Sequence, residues 1–544
     1  MIDMVEVLLP LFVGAPLLLG AVLFVVPPKH PLQTIIGLGS LLAMLGGAVT
    51  LLAVTASGAV VAHQVALWPG GIAIPFAADT FSSLILVGAA LVALISFQYM
   101  VVSGESRSPF IPALVLILMG GVAGALLTAD LFNLFVFIEV MLLPSYGLLI
   151  FLSRREGMAA SRLYVVVNLL ASTLFLAGVG LIYAVEGTVN LAALAGAGAG
   201  DNPATAIATA VCLAAIAVKA AVFPVHGWLT RAYSFASPAV AALFSGLHTK
   251  VAVYIVYRIS SVIYEGDSAW MTAILIVAAL TLVVGALASL GERDIRPLLV
   301  FQMVSGIGFI LVGVALFTPL GLTAGIVYMV HHMVVMGALL LTASAIEHTY
   351  GSGRLDRVAG LRTRDHVVTG VFVIGALSLA GLPPFSGFVA KYALVLASAD
   401  AGVVIVAALL VVVSLFVLMA MMKVWAEMFN GKRHADVEVL AAEERIRTRQ
   451  GLWDTDSLTE DEVSEEAARA IEHVEPPWGI VGVDGDPHEH RGTRVSFSLI
   501  LPALILAGLS VALGVGGESL VALADQASAG LLDTTDYVRA VMGR

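Results

Sequence analysis

TAIATAVCLAAIAVKAAVFPVHGWLTRAYSFASPAVAALFSGLHTKVAVYIVYR, residues 205–258, decides the fold. It holds two apolar segments, each long enough to enter a membrane. Lys219 sits deep in the first and Lys250 in the second. Pro224 follows Lys219 by five residues, so the helix breaks or kinks just after the lysine. A lysine inside an apolar helix costs about 2.5–3.5 kcal/mol on insertion scales, and such residues mark functional sites. Two of them in consecutive segments, one beside a helix break, suggest a path for charge.

The rest of the chain supports that setting. Of its 544 residues, 60% are hydrophobic and 12% charged, and its mean hydropathy is +1.01. No soluble core needs this, so the expected class is an all-α polytopic membrane protein. The single cysteine, Cys212, excludes an internal disulfide and a cysteine-based metal site. Asp3 and Glu6 replace the basic start of a signal peptide, so the first apolar run is expected to remain as a membrane helix.

Apolar runs of membrane length fall near 5–26, 32–56, 78–101, 109–128, 131–152, 162–185, 205–224, 237–258, 269–289, 296–315, 320–345, 368–395, 402–429 and 496–520, giving about 14 spans. The basic residues test that count. With the N-terminus outside, the inside connections hold 20 of the 27 Lys and Arg, and the outside connections and termini hold only Arg258, Arg539 and Arg544. The four others, Lys219, Lys250, Lys391 and Lys423, lie within spans. This bias follows the positive-inside rule, which a missed span in mid-chain would scramble. Both termini are therefore expected on the outer side of the membrane.

Residues 435–494 carry sixteen Asp and Glu against six Arg, so this one segment holds nearly all of the formal net charge of −11. It is expected to be a cytoplasmic loop (430–495), partly disordered, with a helix at 440–450 or 460–473. A solvated insertion is the first reading, and docking to a neighbouring protein of the same complex is the second. His473, His488 and His490 are too loosely spaced to suggest a metal site.

Other buried charges join the two lysines. Glu139 lies in DLFNLFVFIEVMLLPSYGLL (130–149), nine residues past Asp130 and so about 13 Å deeper along a helix. A solitary carboxylate there is protonated or paired, and Lys219 is its expected partner. A purely structural ion pair is the alternative, weakened because desolvation offsets most of the attraction. His331 and His332 lie in GIVYMVHHMVVMGALLL (325–341). Adjacent helical positions point about 100° apart, so at most one faces a given path squarely. Imidazole both donates and accepts, which suits a proton relay; a buried, merely hydrogen-bonded histidine is the alternative. Lys391 follows Gly381, Pro383, Pro384 and Gly387, residues that interrupt the twelfth span. Broken membrane helices are tolerated where they line a polar path, so a transport role is expected for Lys391, with a snorkelling lysine as the alternative. Lys423, in LMAMMKVWAEMFNGKR (418–433), is near an inside end and is expected to snorkel.

The two breaks fall five spans apart, an odd number, so successive repeats are expected to be inverted: spans 4–8 (109–258) and 9–13 (269–429). Residues 1–108 then hold the first three spans and 496–544 the last span and a tail. Interrupted helices in matching positions of inverted repeats point to a transport site.

DLFNLFVFIEVMLLPSYGLL, VKAAVFPVHGWLTRAY (218–233), SPAVAALFSGLHTKVAVY (237–254) and LAGLPPFSGFVAKY (379–392) together resemble the signature stretches of the proton-translocating antiporter-like family. That family includes the large antiporter-like membrane subunits of respiratory complex I and of Mrp cation/proton antiporters. The similarity covers about residues 75–430. LLPSYGLL, LHTKVAVY and YMVHHMVVMGALLL are most similar to the Mrp D-type members. The resemblance implies a proton path across the membrane centre through Glu139, Lys219, Lys250, His331 or His332, and Lys391. It implies coupling to Na⁺ movement by partner Mrp subunits, with no cofactor and no metal site in this chain. It marks a departure at Met336, where family members usually carry a lysine. Two other classes remain open from sequence: a non-redox subunit of a proton-pumping oxidoreductase or membrane hydrogenase, and an inert scaffold.

Overall fold

The computed structural model describes residues 2–27, 30–65, 74–107, 110–152, 157–200, 202–431 and 494–543. The acidic segment, its expected helices and its three histidines lie outside the described residues, as do Lys29, Arg154 and Arg155.

Each of the expected spans is a helix. Twelve helices among the described residues are long and apolar enough to cross a membrane. Two shorter apolar helices, Ile111–Leu127 and His366–Ala380, occupy the fourth span and the first half of the twelfth. Local chemistry sets the ends. Asp79 caps the third span, Thr80–Ser103, in a reciprocal capping box with Ser82. Ser237 and Thr318 cap the eighth and eleventh spans, each followed by proline at the first helical position.

Hydropathy and packing are linked. The most apolar 18-residue stretches of the eighth span, Pro238–Val262, and of the eleventh, Pro319–Tyr350, are wholly buried, with mean hydropathies of 1.6 and 1.9. That of the thirteenth, Val404–Phe429, is 39% buried with a hydropathy of 3.1. Helices in the middle of the bundle tolerate polar residues, because packing against protein replaces contact with lipid.

Both expected breaks are present. The seventh span runs Pro203–Ala220, leaves helical geometry at Ala221 (φ 57°), and resumes at Gly227–Phe235. The twelfth runs His366–Ala380, turns through Gly381 at φ 87°, and resumes at Ser386–Asp400.

The connections sort into two sets. Strands Val61–Gln64 and Pro75–Ala78 form an antiparallel hairpin between the second and third spans, with Val61 opposite Ala78. Phe76 bridges to Thr128, Asp130 bridges to Asn190, and the Gln64 side chain reaches Val541 near the C-terminus. The N-terminal helix Ile2–Leu8 also packs on this hairpin. At the opposite set, Asp294 bridges to Arg354, and Val495 donates to Asp365 at 3.0 Å. Glu105 accepts from Ser237 at 2.7 Å, and Arg296 pairs with Glu347. The alternation of sides expected from the basic residues is the one these contacts make. Lys423 reaches that second face, where its Nζ donates to the carbonyls of Leu290 (3.0 Å) and Glu292 (2.6 Å).

Three features depart from expectation. The hairpin is a small addition to the all-α class. The chain after the last span, Phe497–Val515, is no simple tail: it forms helices Gly517–Leu532 and Thr535–Met542. Arg258 is not a loop cation. The eighth span continues to Val262, and Arg258 is buried inside it, paired with Asp79 at 2.7 Å. A cation inside the protein needs that partner, which explains why a lone arginine is tolerated on this side.

Candidate functional site: a row of buried bases and acids

The first part of the row is built on the fifth, sixth, seventh and eighth spans. Lys219 is in the last helical turn before the break, so the chain leaves the helix just beyond it. Its Nζ donates to Ser172 Oγ at 2.8 Å and to the Asn168 carbonyl at 3.3 Å, both on the sixth span, Met158–Glu186. Glu139, on the fifth span, Leu131–Leu152, makes no contact ion pair with Lys219. Its charge nevertheless acts on Lys219 and on Tyr146, and its buried Oε1 has no hydrogen-bond partner among the described residues. The expected pairing is thus through space, with Asn168 and Ser172 holding the ammonium.

His248 lies on the eighth span, as Lys250 does, but on the opposite side of the helix. It is two residues before Lys250, so the two side chains leave the helix about 200° apart. His248 faces the Lys219 charge and packs beside Tyr164 (6.5 Å between ring centroids) and Phe244 (4.4 Å). Tyr164 is anchored by Ser145 at 3.1 Å.

Lys250 is completely buried, and among the described residues its Nζ donates only to Thr249 Oγ1, at 3.3 Å. The two adjacent histidines of the eleventh span both lie within reach of the Lys391 charge, and His332 also within reach of Lys250. His332 feels Lys250 first and Lys391 less. His331 feels Lys391. Gly306 on the tenth span makes room for His332: a Cβ there would lie 1.9 Å from Nε2. Gly387 lets the break approach His331, since a Cβ there would lie 2.9 Å from Cε1 and 1.8 Å from the Ser378 carbonyl. Met336 is one turn beyond His332 and is buried, so no second cation stands where the family usually has lysine.

Lys391 closes the row. It lies in the second half of the broken twelfth span and donates back across the break to the Ala380 carbonyl at 3.2 Å. Its Nζ also stands 4.5 Å from the centre of the Phe309 ring, a cation–π contact. Two weak anchors suit an amine that changes partners.

The six residues singled out in sequence all lie on spans, with Lys219, Lys250, His331, His332 and Lys391 buried and Glu139 partly so, and the charges of Glu139, Lys250 and Lys391 reach Lys219 and the two histidines. The additions are Asn168, Ser172, Tyr146, Tyr164, His248, Ser378, Ser386 and Ser510. Asn168 and Ser172 had a signal, a polar pair four apart in an apolar helix. His248 had one too, since it shares LHTK with Lys250. The serines had none, because hydroxyls return to their own helix carbonyls in most apolar helices. No group of three His, Cys, Asp or Glu among the described residues could hold a metal ion.

The arrangement has known relatives. A family described as the transmembrane region of NADH:quinone oxidoreductase/Mrp antiporters matches residues 128–430. The D-type component of the Na⁺/H⁺ antiporter of Alkalihalophilus pseudofirmus is 34% identical over 433 residues, covering 78% of this chain and 87% of its own. That of Bacillus subtilis is 31% identical over 480 residues, covering 87% of each. A chain in the Mrp complex of Dietzia sp. is 45% identical with a TM-score of 0.87, and 99% of each chain is covered. A chain of an archaeal membrane-bound sulfane sulfur reductase shares the fold alone, at 22% identity over 98% of this chain and 99% of its own, with a TM-score of 0.76. The chain is a multi-pass membrane protein that belongs to the NADH:quinone oxidoreductase/Mrp antiporter membrane family and, within it, groups with the D-type antiporter components.

Proposed function

We propose that this chain is the proton-conducting subunit of a multisubunit Na⁺/H⁺ antiporter, working with other Mrp subunits in one membrane complex. The observation that carries this is the row of titratable groups through otherwise apolar spans, where a merely structural protein would place none. The 31–34% identity to D components of Na⁺/H⁺ antiporters supports the Na⁺ coupling, and the 45% identity to a chain of an Mrp complex supports the assembly.

In this reading Glu139 favours the charged form of Lys219 through space, while Asn168 and Ser172 hold its position. When the Glu139 influence weakens, the proton passes by His248 to Lys250. His332 receives it on the far side of the eighth span and His331 hands it to Lys391. Lys391 releases it across the broken twelfth span, and reloading of Lys219 resets the row. The chain acts as part of a secondary transporter; it performs no redox chemistry itself.

The two breaks belong to a pair of inverted repeats, 109–258 and 269–429, as alternating access requires. The face that gathers Arg107, Arg231, Arg293, Arg296, Arg354, Arg357, Arg362 and Arg364 is the cytoplasmic one, with the acidic 430–495 loop on it, and both termini are outside.

The test is Na⁺-dependent pH change in inverted vesicles from antiporter-deficient cells. The chain alone is expected to give no signal, and co-expression with its neighbouring operon products should restore one. A verified complex that moves no protons in response to Na⁺ would move the assignment to a redox-driven pump.

A further inference from the structure

Three serines from three separate helical segments meet beside His331. Ser378 is in the last turn before the twelfth-span break, Ser386 opens the helix after it, and Ser510 is on the last span. Their oxygens form a closed triangle with edges of 2.8 Å (Ser378–Ser510), 3.1 Å (Ser386–Ser510) and 3.3 Å (Ser378–Ser386). Ser386 Oγ lies 2.8 Å from His331 Nδ1. All three serines and the histidine are buried. The last span is shaped for this approach. One turn beyond Ser510, Gly514 presses on the backbone of the break, where a Cβ would lie 2.2 Å from the Pro384 carbonyl oxygen.

Hydrogen counting restricts the histidine. The cluster contains four polar contacts, the three edges and the link to the ring. Each hydrogen bond uses one hydrogen, and three hydroxyls supply three. If Ser386 donated to Nδ1, only two hydrogens would remain for three edges, leaving one pair of buried oxygens in contact with no proton between them. If the hydroxyls instead donate head to tail around the triangle, every edge is made and the Ser386 oxygen accepts the fourth hydrogen from the imidazole. Among the described residues none of the three hydroxyls has another partner.

We infer that the Ser378–Ser386–Ser510 triangle is a positioning device that holds neutral His331 with its hydrogen on Nδ1, leaving Nε2 as the atom that accepts and releases the transferred proton. Ring tautomer is set by the partner of the other nitrogen. The Nδ1–H···Oγ bond is kept in both the neutral and the protonated ring, so a proton enters and leaves Nε2 without the ring turning. Ser510 thereby makes the last span, outside both repeats, part of the transfer step. The functional half of this inference rests on His331 belonging to the proton row; the tautomer does not.

The experiment is nitrogen-15 NMR of the assembled complex in lipid with labelled histidine, the His331 signal being assigned by its loss in His331→Gln. Wild type should show neutral His331 protonated on Nδ1. Ser510→Ala removes two edges and one hydrogen, which frees Ser386 to donate, so a substantial fraction should move to the Nε2–H form. Ser510→Thr, which keeps the hydroxyl, should restore the wild-type form. Antiport should slow by about fivefold in Ser510→Ala, the size of one net hydrogen bond, and recover in Ser510→Thr. Wild-type His331 protonated on Nε2, or a tautomer unchanged by Ser510→Ala, would overturn the assignment. Loss of antiport in His331→Gln together with that unchanged tautomer leaves the proton row standing and removes the triangle. Full antiport in His331→Gln with the expected tautomer shift removes His331 from the row and supports the triangle.

Discussion

Lys219→Ala is expected to reduce Na⁺-dependent proton movement by about 10²-fold or more, the usual contribution of a positioned proton-transfer group. The complex should still assemble. The substitution replaces a buried amine at the end of a helix by the best helix former; it removes the donor of one carbonyl and one hydroxyl of the sixth span and the countercharge of Glu139, which can then take up a proton. Lys219→Arg separates charge from proton exchange. Arginine keeps the cation but does not give up its proton. The account expects it to fail as completely as alanine, whereas a lysine needed only for its charge would tolerate it. The measurement is acridine-dye dequenching in inverted vesicles, with complex content quantified on the same membranes.

Asp79→Ala is expected to destabilise the chain by about 3–5 kcal/mol, the cost of leaving one member of a buried pair alone. Asp79 holds Arg258 at 2.7 Å. It also caps the third span, which adds about 1 kcal/mol. The guanidinium is ringed by Tyr537 (4.7 Å), Tyr254 (5.4 Å) and Phe81 (5.8 Å), so it cannot turn out to water without moving the C-terminal helix. Asp79→Asn with Arg258→Leu should recover much of the loss, because no charge is then stranded. Thermal unfolding of the purified complex in detergent checks this. A double variant less stable than Asp79→Ala would show that the pair is worth more than the desolvation it costs.

Arg258 also shows where sequence reading reaches its limit. A tally of loop charges places it in a connection, whereas it is buried within the eighth span. Nothing local to IVYR reveals Asp79, which is 179 residues earlier in the chain. By contrast the spans and the two breaks were legible, and so was the burial of Lys219, Lys250, His331, His332 and Lys391 inside apolar helices. A charge inside twenty apolar residues and a proline after a lysine are local signals whose cost dictates their meaning. Glu139 and Lys219 were recognisable as a pair, but not as a separated one: the intervening role of Asn168 and Ser172 depends on how the sixth and seventh spans are packed. The hairpin strands and the helix Thr535–Met542 were missed because their order comes from packing on each other, and the helix Gly517–Leu532 because it is ordered by packing on the eleventh and third spans. The helix Thr535–Met542 rests on that hairpin and places Tyr537 against Arg258. The serine triangle draws on segments 132 residues apart in the case of Ser378 and Ser510, a contact no window along the chain contains.

The central claim is that the two halves conduct in series, and Lys250 is where they join. It is fully buried on the eighth span, which also carries His248 within reach of the Lys219 charge, and its own charge reaches His332. The direct measurement is Na⁺-driven proton movement by the reconstituted complex carrying Lys250→Met, with assembly verified and the wild type run in parallel. The account predicts loss of the signal with the fold intact. Retention of wild-type activity would contradict it, because the protons would then be crossing by a route that does not pass through the eighth span.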